Sequence, residues 1–182
     1  GKNSNDAYIT GYKHLNPLKD FHSPERKQDV SEEIYQHLLR GMIVILDLSV
    51  GDPDQRTRLS KIIAQHIFNR SMKTFNAGEY PPNIMIYVEE AHNIMGKDDK
   101  LADVWPRIAK EGAKFRIGTV YATQEISSVH PNILANTENM FVSHINNENE
   151  VRVLGKFYDF ADFGPSLIRA QDVGFTRVKP TS

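Results

Sequence analysis

The stretch "NIMIYVEEAHNIM" (residues 83–95) decides the reading of this chain. Five residues of β-forming type, Ile84 to Val88, run without interruption into two adjacent carboxylates, Glu89 and Glu90. A continuous run of that kind is the mark of a strand covered on both faces. Two acids at the C-terminal tip of such a strand suit a nucleotide hydrolase, one for Mg²⁺ and one for the attacking water. Neighbours inside a strand face opposite sides, so the pair cooperates only if the chain turns at the strand's last residue. The competing reading is a solvated strand end whose acids begin the following helix. His92, two residues on, and "ATQ" (122–124) at the end of a later apolar run speak for chemistry.

A nucleotide site also needs a loop to hold phosphates. The pattern G-x-x-x-x-G-K-[ST] occurs nowhere in the 182 residues. The nearest match, Gly1-Lys2-Asn3-Ser4, lacks a first glycine and a preceding strand. A zinc-hydrolase reading of Glu89, Glu90 and His92 fails because H-E-x-x-H is absent.

Composition narrows the classes. Hydrophobic residues make up 40% and charged residues 25%, as in one globular domain. With no cysteine, disulfides, thiolate-bound zinc and thiol catalysis are excluded, and a cytoplasmic location is expected. The net charge of −1 supplies no global pull on nucleic acid, so any such contact must come from a local patch or from many copies in a ring. No apolar run approaches a membrane span, and no membrane association is expected.

Along the chain, residues 1–28 read as an irregular segment and 159–182 as a tail with a short strand near its end. Between them, 29–158 alternate helix and strand. "DVSEEIYQHLLRG" reads as a helix with Val30, Ile34, Leu38 and Leu39 on one face and Gly41 stopping it. "MIVILDLS" (42–49) reads as a buried strand. Helical spacing of Leu59, Ile62, Ile63, His66 and Ile67 predicts a helix over about 55–74. "IMIYVE" is a second strand. Leu101, Val104, Trp105 and Ile108 mark a helix closed by Gly112, and "IGTVYAT" (117–123) is a third strand. "HPNILANTE" is a short helical turn, "NMFVSHI" (139–145) a fourth strand, and 147–158 a helix. The fold class expected is α/β, with a mostly parallel sheet and helices on both faces. Ligands in such sheets sit at the C-terminal ends of strands. Asp47 and Ser49, Glu89 and Glu90, and Thr123 and Gln124 are the polar residues at those ends. Glu89 is the candidate Mg²⁺ ligand, Glu90 the residue that activates water, and Gln124 an amide able to bond both a phosphate oxygen and that water.

"GMIVILDLS", "IYVEEAHNIMG" and "RIAKEGAKFRIGTVYATQEISSVHPNILANTENMFVSHINNENEVRVL", in this order and spacing, resemble the C-terminal half of the HerA-type ATPases, in the HerA/FtsK branch of the RecA-like P-loop motors. The resemblance covers roughly residues 29–158. It implies a RecA-like core incomplete on its N-terminal side, with the P-loop preceding the part seen here and this chain inactive alone. It also implies a hexameric ring that binds ATP and Mg²⁺ and moves along double-stranded DNA, with a nuclease or another effector as a further candidate partner. Glu89 and Glu90 match the Walker B acids and Gln124 the sensor glutamine; Thr123, the polar strand-end residue beside it, is a candidate nucleotide contact. Many family members carry an arginine in "EGRK" that reaches a neighbouring subunit's nucleotide; Ala113 stands there in this chain. Arg107, Lys114 or Arg116 could supply the charge instead, or could simply cover the loop after the helix. A degenerate RecA-like scaffold without catalysis is the other functional reading.

Overall fold

The structure, a computed structural model, describes residues 29–48, 52–158, 163–169 and 176–179. The segment 1–28, Ser49 and most of the tail lie outside the described residues. Six α-helices, three short 3-10 helices and four short strands occur among those described.

Helix α1, Val30–Leu39, begins where the Asp29 carboxylate accepts the Ser31 N–H at 2.9 Å, with Glu32 and Glu33 in its first turn. Gly41 follows at φ +73°, a conformation that favours glycine, and lets the chain leave the helix. Helix α2, Pro53–Asn76, is 24 residues long, about 36 Å. Asp52 caps it and Pro53 opens it, where its missing N–H costs nothing. The two helices are tied by Glu32, which meets both His66 at 2.7 Å and Arg70 at 3.3 Å.

Strand β1 (Ile84–Val88) pairs in parallel with β2 (Ile117–Tyr121), Ile84 opposite Ile117 and Val88 opposite Tyr121. The intervening crossover carries helix α3, Val104–Glu111. Ile84, Val88 and Ile117 face one large core with Ile63, Ile67 and Phe68 of α2, Trp105 and Ile108 of α3, and Ile133 and Leu134 of helix α4, Pro131–Ala135. Phe68 is fully buried and meets the Phe115 ring edge-on at 5.2 Å. A second, smaller core joins Val142 of strand β3 (Met140–Val142), Leu154 and Tyr158 of and after helix α5 (Glu148–Phe157), and Leu167 of helix α6, Gly164–Arg169. Strand β3 pairs antiparallel with β4, Arg177–Lys179.

Three expectations need correcting. Residues 42–48 form no strand, and Ile43 and Ile45 are 92% and 88% exposed. An apolar run becomes a strand only through a ladder partner, and none of the described residues pairs with it. The expected fourth parallel strand is instead β3, three residues long and in a separate antiparallel pair. Helices also cover only one face of β1–β2 among the described residues: Met85, Tyr87 and Val120 on the other face are exposed. Helix α6 was not foreseen; its single buried leucine is too short a signal to show a period. Elsewhere the alternation of helix and strand is as read, with boundaries shifted by a few residues, and Leu101 lies outside α3 and is exposed. No helix among the described residues is long and apolar enough to cross a membrane.

Candidate functional site

The ladder between β1 and β2 does not stop at the strand ends. Ala122 N–H donates to Val88 O, and Ala91 N–H donates to Ala122 O, each at 2.9 Å. These bonds hold residues 89–91 beside residues 122–124. Between them the chain turns at Glu90, whose φ of 49° and ψ of 50° are left-handed. A residue with a Cβ pays about 1–2 kcal/mol for that conformation, which turns Glu90 out of the strand alternation. Such backbone strain concentrates at functional sites.

The two acids therefore look different ways at first. Glu89 stays on the exposed face of β1 and accepts the Tyr87 hydroxyl at 2.8 Å, the two residues sharing that face by the period of two. This hydrogen bond, followed by burial, raises the Tyr87 phenol above its ordinary value. Glu90 instead reaches toward β2. Gln124 Nε2 donates to Glu90 Oε1 at 3.3 Å, and His92 Nδ1 lies 3.5 Å from Glu90 Oε2. The same His92 nitrogen is 3.2 Å from Thr123 Oγ1. Glu90, His92, Thr123 and Gln124 thus form one connected cluster at the joined strand tips.

Both carboxylates border a cavity of about 570 Å³ lined by β1, by α2 and by Val44, Leu46, Asp47 and Leu48. Asp47, Arg56 and Asn93 join them at its polar rim. The expected convergence of strand ends is met for Glu90, Thr123 and Gln124, while Asp47 shares the cavity with Glu89 and Glu90 only. No group of three or more His, Cys, Asp or Glu among the described residues is arranged to hold a metal by protein ligands alone. A Mg²⁺ ion that keeps most of its water fits such a site better than a fully caged cation.

The cations lie elsewhere. Arg116 directly precedes β2, and its Nε donates to Asn83 Oδ1 at 2.8 Å, joining the starts of the two strands. Five strand residues, about 16 Å, separate that end from the carboxylates. Lys114 sits over the Phe75 and Phe115 rings at 5.3 and 5.6 Å, and the Arg107 guanidinium covers Phe68 at 4.7 Å. Within one chain, Arg116 and Glu90 belong to opposite ends of the sheet. The sequence marks His92 as company for the two acids without giving it a partner, and does not single out Tyr87. Tyr87 had a signal in its i,i+2 spacing from Glu89; the contact of His92 with Thr123 spans 31 positions and had none.

No protein-family model matches the chain. It is 28% identical over 144 residues to the DNA double-strand break repair helicase HerA of Sulfolobus acidocaldarius, covering 72% of this chain and 28% of that protein. With the HerA helicase of Saccharolobus solfataricus it shares 30% identity over 121 residues, 63% of this chain and 24% of that one. The chain thus spans about a quarter of the length of the curated relatives it matches. Among solved structures, the genome packaging NTPase B204 of Sulfolobus turreted icosahedral virus 2, in complex with ATP-gammaS, superposes with a TM-score of 0.55. That match covers 86% of this chain and 74% of the neighbour at 14% identity, a likeness of fold. The resemblance drawn from the sequence therefore stands: the chain is similar in sequence to the HerA helicases over about two thirds of its length or more, and similar in fold to a nucleotide-binding packaging NTPase.

Proposed function

We propose that this chain is the C-terminal portion of the motor of a ring-forming ATPase that couples ATP hydrolysis to movement along double-stranded DNA. The observation that carries the reading is the contact between Glu90 and Gln124 at the joined tips of two parallel strands. In this reading Glu90 takes the proton of the attacking water. Gln124 donates to Glu90 through Nε2, which leaves its carbonyl oxygen to accept from the same water. Thr123, fixed by His92, contacts the nucleotide beside it. Glu89, engaged at one oxygen by Tyr87 and otherwise exposed, holds Mg²⁺, which neutralises phosphate charge. The phosphate loop comes from a part of the protein outside these 182 residues. Arg107, Lys114 or Arg116 serves a neighbouring subunit's nucleotide, which suits Arg116 and Lys114 lying away from the chain's own carboxylates.

The net charge of −1 gives one subunit little hold on a duplex. A ring repeating a few cations around a pore grips it through summed counterion release. Light scattering of the protein carrying this chain, followed by ATPase assays with and without duplex, tests the proposal: a hexamer stimulated by double-stranded DNA is expected. A protein without ATPase activity and indifferent to DNA would leave the second reading, a degenerate scaffold that oligomerises or binds a partner without catalysis, which Ala113 in the usual arginine position favours.

A further inference from the structure

Glu150 is a buried carboxylate, 7% exposed, that the proposed reaction does not use. Burying a charge is costly unless hydrogen bonds replace the lost water. Both of its oxygens are given to one residue: Oε2 accepts the Ser127 N–H at 2.8 Å, and Oε1 accepts the Ser127 hydroxyl at 2.5 Å. The charge also sits in the first turn of α5, where the helix dipole favours an anion.

Ser127 lies three residues after Gln124, and the loop between is wired throughout. Thr123 Oγ1 accepts the Glu125 N–H at 3.1 Å, and Ser128 Oγ donates to Glu125 Oε2 at 3.1 Å. His92 holds Thr123 at one end of this loop and Glu150 holds Ser127 at the other. Gln124 itself is exposed and makes one side-chain bond, to Glu90. Its position therefore depends on the two anchors. The first belongs to the β1 tip. The second belongs to α5, whose Leu154 is fully buried in the second core.

We infer that Glu150 is a positioning residue for Gln124, clamping the sensor loop to α5 so that the second core and the water-orienting amide move together. The inference rests on the hydrolase reading of Glu90 and Gln124. Misplacing a group that orients a reactant by about 1 Å lowers turnover without equal loss of binding.

The clamp is tested first in this chain by amide hydrogen exchange. Glu150→Ala should raise exchange at residues 122–129 at least about tenfold and leave the α2 core unchanged. In the complete motor the same variant should lower kcat about tenfold with KM for ATP within about twofold. Glu150→Gln, which can return both hydrogen bonds in neutral form, should restore most of the rate. Ser127→Ala, which keeps the N–H bond and disturbs packing least, should lower kcat in the same direction and serves if Glu150→Ala does not fold. Unchanged loop exchange, or full kcat in both Glu150→Ala and Ser127→Ala beside a dead Glu90→Gln control, overturns the inference alone. An active Glu90→Gln control takes down the hydrolase reading and this inference together.

Discussion

The Gln124 amide donates to Glu90 across 3.3 Å, joining two strand tips whose residues are 34 positions apart. The bond is possible because the β1–β2 ladder continues past both strands and because Glu90 takes a left-handed turn. A water held between this carboxylate and this amide would have its acceptor and its orienting group fixed before any nucleotide arrives.

Glu90→Gln in the complete motor is expected to abolish turnover while ATP still binds, because an amide keeps the shape but accepts no proton. Glu89→Gln should instead weaken Mg²⁺-dependent binding. Steady-state kinetics and equilibrium binding separate the two; wild-type turnover in both would make the acids ordinary strand-end residues.

The isolated 182-residue chain should neither bind ATP tightly nor hydrolyse it, since it has no G-x-x-x-x-G-K-[ST] nest and no phosphate lysine. Titration calorimetry with ATP and Mg²⁺ checks this, and micromolar affinity would contradict the proposal that the phosphate loop is supplied from elsewhere.

Replacing Arg107, Lys114 and Arg116 one at a time should lower ATPase more than ATP binding for at least one position. That pattern marks a charge supplied to the transition state from a neighbour. Lysine in this role grips phosphate less well than arginine, having no planar fork. If all three variants hydrolyse at the parental rate, none of these cations serves catalysis.

Two glycines should differ in their response to alanine. A Cβ on Gly112 would lie 2.8 Å from the Ile117 carbonyl oxygen, which is backbone at the start of β2. Gly112→Ala is expected to destabilise by about 1–3 kcal/mol. A Cβ on Gly118 meets the Met85 methyl at 2.9 Å, the far end of a flexible, exposed side chain. Gly118→Ala should stay within about 0.5 kcal/mol of the parent. Urea unfolding of both variants gives the comparison.

Burial pushes the Tyr121 phenol up to about 12, against a smaller opposing effect of its hydrogen bond with Thr137 at 2.7 Å. The folded state therefore keeps a proton that the unfolded chain releases near pH 10. This contribution to stability is intact below that pH and is lost as pH climbs through the folded value. Unfolding free energy measured from pH 9 to 12 should fall, and Tyr121→Phe should flatten the fall. An identical slope in the variant would place the alkaline sensitivity on another group.

Helix starts were legible in the sequence because their signals are local. Asp29 before Val30 and Asp52 before Pro53 act on donors two residues away, and Gly41 ends α1 by its own φ. The helical spacing of Leu59, Ile63 and Ile67 likewise marked the inward face of α2, whereas Ile62, read with them, is exposed and Phe68, not named, is fully buried. The place of the carboxylate pair and of Gln124 just past strand ends was legible because each follows an apolar run, and those two runs do pair as β1 and β2. What the sequence could not decide depends on partners far along the chain. Residues 42–48 have the composition of a strand, yet a strand exists only where another backbone completes its hydrogen bonds, and none of the described residues does. Whether Glu89 and Glu90 face together depended on the left-handed turn at Glu90, which nothing in "VEEAH" encodes. The separation of Arg116 from Glu90 followed from the parallel register of β1 on β2. The hold of Glu150 on Ser127 spans 23 positions, so only the packing of α5 against the sensor loop could bring those atoms together.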